Sequence, residues 1–139
     1  MTRGFATIKP ECQEQFDTLK ETKTLDYIVF VPDWHKKEIS VAKSGKSDSH
    51  DEIVSFLTTD APRYMVTKFT YDAPTGDEKR HKLVFITWVP EGANSHDKTY
   101  CLHNKDHLYR SLDDLSLHVQ ASKPEDLAHA TILKQFKVL

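Results

Sequence analysis

The sequence predicts a mixed α/β fold, one domain spanning residues 1–139 with a central mixed β-sheet sandwiched between helices. Three observations lead there. Apolar spacing switches between helical and strand periods in the order α-β-β-α-β-β-α-β-α, with no internal repeat, linker or low-complexity segment. The segment Lys82–Val89 is almost continuously apolar, as expected of an inner strand covered on both faces. A length of 139 residues suits a single core that buries roughly two-thirds of the surface of the unfolded chain.

Each element has a local reason. Residues 1–6 are expected to form a short flexible tail. Pro10-Glu11 supplies a favoured helix start with an acid in the first turn, and Cys12, Phe16 and Leu19 continue at helical spacing, which predicts a helix over 10–22. Tyr27–Val31 and Glu38–Ala42 are rich in β-branched and aromatic residues and flank a turn-rich connection, so they read as a hairpin. A loop over 44–49 precedes a short helix at Glu52–Leu57, which ends before Ala61-Pro62. Strands follow at Tyr64–Tyr71 and Lys82–Val89, separated by the polar stretch 72–78. A helix over Ser95–Leu112, a strand over Leu115–Ala121 and a final helix over Pro124–Phe136 complete the order.

The bulk properties exclude several classes. A net charge of -2 argues against a general nucleic-acid binder, which needs a basic excess to displace counterions from phosphates. The 38% apolar and 29% charged fractions describe an ordinary globular chain, and no apolar run approaches the roughly 18 residues of a membrane span. The first residues lack the apolar core and cleavage pattern of a secretory signal, so a cytosolic setting is expected. Cys12 and Cys101 are then expected to be reduced thiols.

Enzymatic signatures are missing: no glycine-rich phosphate loop, nucleophile elbow or paired-cysteine metal motif occurs. His103 and His107, one helical turn apart, could hold a metal with Asp106 or His96, but a solvated histidine pair is the plainer reading, and neither metal nor cofactor is expected. Cys101 and His103, two apart on a helix, do not face each other as a catalytic pair would. Trp88 reads as core. Projected at about 100° per residue, the helix over 95–112 places Cys101, Leu108 and Leu112 on one side, and Thr99, His103, Asp106 and Arg110 in a polar stripe on the other. Lys98 and His96 flank the start of the stripe.

The wording around this helix resembles the actin-depolymerising factor/cofilin family. Phe85-Ile-Thr-Trp-Val-Pro-Glu-Gly-Ala93, Lys98, Asn104-Lys105-Asp106, Leu112 and Val119-Gln120-Ala121 follow its order, as do Arg63-Tyr64 at a central strand and Pro10-Glu11-Cys12 with Phe16 and Leu19 in the first helix. The resemblance covers nearly the whole chain and implies an ADF-homology fold, with no enzymatic activity. It further implies that actin, monomeric and filamentous, is the partner, that filaments are depolymerised and severed with ADP-actin preferred, and that the protein is a cytoplasmic monomer on the actin cytoskeleton. Weak phosphoinositide binding and nuclear entry are compatible with it.

Carried across residue by residue, the actin contact falls on His96, Lys98, Thr99, His103, Asp106 and Arg110, with Thr2, Arg3 and Gly4 as a tail contact. A filament-specific surface falls on Arg80 and Lys82, with Lys134 and Lys137 at the last helix. Departures accompany the match. Thr99 stands where the family has methionine, Tyr109-Arg110-Ser111 replaces a more basic run, and Lys134-Gln135-Phe136-Lys137 lacks the family's acid and arginine. These changes bear on severing and phosphoinositide binding more than on monomer binding. Thr2 occupies the region where the family carries a regulatory serine, and a phosphate there would add about two negative charges against acidic actin. His96 and His103 in the contact imply pH-dependent binding, because histidine ordinarily titrates near 6.5. The rival readings are a non-severing filament side-binder or branch-regulating homologue of the same fold, and an unrelated small enzyme built on the histidine-rich helix.

Overall fold

The structure is a computed structural model that describes residues 5–57, 60–72, 76 and 78–138, the side chains of Lys137 and Val138 excepted. Its elements are β1 (Thr7–Ile8), α1 (Pro10–Glu21), β2 (Tyr27–Asp33), β3 (Glu38–Gly45), α2 (His50–Ser55), β4 (Arg63–Asp72), β5 (Lys79–Trp88), α3 (Ser95–Ser111), β6 (Leu117–Ala121), a 3-10 turn (Pro124–Leu127) and α4 (His129–Val138). The strands form one mixed sheet in the order β1-β3-β2-β4-β5-β6, parallel at β1/β3 and β5/β6 and antiparallel elsewhere.

Strand alternation divides the core into two layers. Tyr64, Val66 and Phe85 meet Cys12, Phe16 and Leu19 of α1 and Cys101 and Leu108 of α3 on one face. Met65, Phe69, Val84, Ile86 and Trp88 meet Ile53 and Val54 of α2, Leu127 of the 3-10 turn and Ile132 of α4 on the other. The apolar run of β5 is therefore covered on both sides, as its composition predicts, and Trp88 is core at 2% exposure.

Several boundaries differ from the sequence expectation. β1 has no counterpart in it; Thr7 and Ile8 pair with Glu38 and Ile39, and Ala6 just before them is buried. β3 runs on to Gly45 through an irregular register in which Val29 pairs with Lys43 but Phe30 with Val41. That leaves Ala42 as an extra residue of the kind a bulge accommodates. α2 starts at His50 because Ser49 Oγ accepts the Glu52 N–H at 3.2 Å. The predicted last helix is two pieces. Ala128 is extended at φ -59° and ψ 141°, and Asp126 Oδ2 accepts the Ser122 and Lys123 N–H groups at 3.0 and 3.1 Å. This break allows Leu127 and Ile132 to be buried together, both at 0% exposure.

Candidate functional site

The passage from β5 to α3 is a short, capped turn. Ala93 N donates to Pro90 O at 3.1 Å, and Asn94 Oδ1 accepts the His96 and Asp97 N–H groups at 2.8 and 3.4 Å. The cap satisfies donors that an open helix start would leave unpaired. It also fixes the azimuth of the helix. Cys101 and Leu108 point into the core while Thr99, His103, Asp106 and Arg110 are all exposed. The predicted stripe is thus a real outer face. His96 is exposed at its start, and Lys98 is half-buried with Nζ donating to Glu91 O at 2.7 Å.

The start of the described chain is pinned to this face. Ala6 N donates to Asn104 Oδ1 at 2.8 Å, and His107 Nε2 is 3.0 Å from Ala6 O, which places the ring proton on Nε2. The Phe5 ring stacks on His103 and His107 with centroids 4.9 and 5.0 Å apart. Phe5 and Ala6, assigned by the sequence to the tail, are therefore tied to α3. A groove of about 310 Å³ lined by Phe5, His103, Asp106, His107 and Arg110 marks the junction. Thr2, Arg3 and Gly4 lie outside the described residues.

Asn104 enters the sequence reading only as part of a motif, with no role of its own. It is fully buried, accepting from Ala6 and donating through Nδ2 to Tyr100 O at 3.0 Å. Projection at about 100° per residue puts it only about 60° from Cys101, so a polar side chain on the core side was a signal available in the pattern. Phe5 and Trp34, 41% and 38% exposed, also border the stripe, and their exposure has no signature in the sequence.

The filament-side candidates sit elsewhere. Arg80 and Lys82 are exposed and pair across the sheet with Tyr71 and Phe69. Those two rings stack on Phe136 of α4 at centroid distances of 6.0 and 5.6 Å. Arg80 and Lys82 thus share the sheet face that carries α4 and its exposed Lys134, opposite the face that carries α3. Arg80 lies roughly 26 Å along β5 from Trp88, where the chain leaves for α3, at about 3.3 Å per residue. The two sets are separate surfaces. Arg80 Nε also pairs with Glu78 Oε1 at 3.4 Å. Lys137 lies in α4, with its side chain outside the described residues.

The chemical alternatives fare differently. Cys101 is buried, and burial pushes its thiol up to about 12, as it does that of Cys12, so neither is a ready nucleophile at neutral pH. His103 and His107 share their faces with the Phe5 ring, and among the described residues no three His, Cys, Asp or Glu side chains cluster as a metal site. No helix among the described residues is long and apolar enough to cross a membrane.

Comparison with known proteins identifies the family and the fold. Residues 5–137 match the family described as cofilin/tropomyosin-type actin-binding protein. A cofilin of Yarrowia lipolytica is 31% identical over 135 residues, covering 97% of this chain and 88% of the relative. A cofilin of Schizosaccharomyces pombe is 31% identical over 128 residues, with 92% of each covered. Among solved structures, Streptomyces griseoflavus cofilin superposes with a TM-score of 0.86 at 32% identity, covering 94% of this chain and 96% of that one. Human coactosin-like protein, at 17% identity and a TM-score of 0.79 over 96% and 99% of the two chains, shares the fold alone.

Proposed function

The chain belongs to the cofilin/tropomyosin-type actin-binding family, and from that premise we propose that it binds actin monomers and filaments and promotes filament depolymerisation and severing. The observation that carries this reading is the continuity of the exposed α3 stripe with the docked start of the chain. Lys98, Thr99, His103, Asp106 and Arg110, with His96 at the helix start, are the monomer contact, and Thr2, Arg3 and Gly4 extend it from the Phe5 anchor. Arg80, Lys82, Lys134 and Lys137 are the second, filament-side contact. The protein acts in the cytoplasm on the actin cytoskeleton.

The mechanism is a population shift without bond chemistry. A protein with two contact surfaces can touch two neighbouring subunits, and it stabilises whichever filament twist lets both engage, by its differential affinity for that arrangement. Boundaries between decorated and bare filament are then mechanically mismatched and break. Preference for ADP-actin follows if the nucleotide state alters the actin surface that α3 meets. Phosphate on Thr2 weakens docking by placing negative charge against an acidic partner.

Co-sedimentation with preformed filaments tests the proposal. Soluble actin rising with dose supports depolymerisation, and faster loss of filament length under microscopy supports severing. Protein that pellets without raising soluble actin is a side-binder, consistent with the missing acid and arginine in α4. Protein that stays soluble and leaves actin polymerised refutes actin binding to filaments.

A further inference from the structure

Trp34 lies outside α3 yet stands at its start. Asp33 Oδ1 accepts the His35 and Lys36 N–H groups at 3.0 and 3.2 Å, and Lys37 adopts a φ of 56°, so the turn between β2 and β3 is tight and braced by a side chain. The indole stacks on His35 and on His96 at centroid distances of 3.9 and 5.4 Å while staying 38% exposed. Between it and the helix is a groove of about 400 Å³ lined by Trp34, Ser95, His96, Thr99, Tyr100 and His103. A neighbouring groove of about 320 Å³ joins Trp34 to Phe5 over the same Tyr100. The Tyr100 hydroxyl itself is buried without a hydrogen-bond partner among the described residues, which is uncommon for a buried polar atom.

We infer that the β2–β3 turn is a third element of the actin-contact face, with Trp34 as its aromatic anchor. The occupant is an actin monomer. Trp34 shares its groove with Thr99 and His103, so a partner that covers the α3 stripe must also cover the indole. The inference therefore rests on the reading that α3 meets actin. A braced, partly exposed tryptophan presents a large surface with little side-chain freedom left to lose, which is why such residues dominate interface energetics. Thr99 beside it offers only a small side chain, so the apolar contact at this end of the stripe comes from the turn.

The chain holds two tryptophans, so uniform 5-fluorotryptophan labelling yields two fluorine resonances, with buried Trp88 as internal control. Adding ADP-loaded actin monomers to the full chain is expected to abolish the H2O/D2O isotope shift of Trp34 and leave that of Trp88 unchanged. Trp34→Ala is expected to weaken monomer binding by about tenfold or more, with Trp34→Phe recovering part of it. A complex that forms normally, and weakens on Lys98→Ala, but leaves the Trp34 isotope shift intact overturns the inference alone. Unchanged affinity of Trp34→Ala does the same. Loss of the isotope shift with protein concentration in the absence of actin assigns the groove to a second copy of this chain and also overturns it. No complex between actin and the unlabelled protein refutes the underlying actin reading, and this inference with it.

Discussion

Replacing Asn104 by alanine removes the acceptor for the Ala6 N–H, a bond of 2.8 Å at a residue only 2% exposed. With water excluded, that donor is orphaned, at a cost of about 1–3 kcal/mol. The loss of the Nδ2 donor matters less, because Tyr100 O lies inside α3 and retains the helical ladder. The expected total is about 2 kcal/mol, a factor of roughly 30 in the opening equilibrium. Asn104→Leu, close in volume but apolar, separates the polar staple from simple space filling, since it should cost about as much. Urea denaturation at fixed pH measures the global effect, and amide exchange at Ala6 measures the local one. Stability within about 0.5 kcal/mol of the parent in both variants, with Ala6 protection unchanged, would refute the claim that Asn104 holds the start of the chain against α3.

The double variant Lys98→Ala/Arg110→Ala should weaken monomer binding by the product of the single effects, because the residues lie roughly 18 Å apart along the helix and share no partner; fluorescence anisotropy with labelled monomers measures it. Arg80→Ala/Lys82→Ala should lower filament binding in sedimentation while sparing monomer affinity, given the separate faces. Acid should weaken the fold. His50 is held below its ordinary pKa by burial and, secondarily, by His129, and His118 by burial and then Lys105. As pH falls through about 6.5 the unfolded chain takes up these protons first, so stability present above that value is lost until the folded pKa values are passed. Urea midpoints between pH 8 and pH 5 should fall, and less steeply for a His50→Gln/His118→Gln variant. Thr2→Glu should weaken monomer binding, and equal affinity would remove the regulatory reading of Thr2.

The parts legible in the sequence are those with a long local period. α3 is read with its outer face correctly placed because its apolar and polar positions repeat over several turns, and β5 because its apolar run leaves no exposed face. β1 is illegible for the opposite reason: two residues pair with β3, a partner distant along the chain, and carry no pattern of their own. The break at Ala128 is hidden because alanine favours helix, and what interrupts it is the capping by Asp126 and the burial of Leu127 against the sheet. At the site, charge and periodicity point to the stripe. Trp34 and Phe5 reach it through the turn and the start of the chain, and such proximity is tertiary.

The central claim is that actin monomers meet the outer face of α3 together with the docked start of the chain. The most direct measurement is a nitrogen-labelled amide spectrum of this protein titrated with actin monomers. The account predicts signal loss concentrated at Phe5, Ala6 and the exposed positions from His96 to Arg110, with Arg80 and Lys82 least affected. Loss concentrated at Arg80 and Lys82, or a spectrum unchanged at saturating actin, would contradict it.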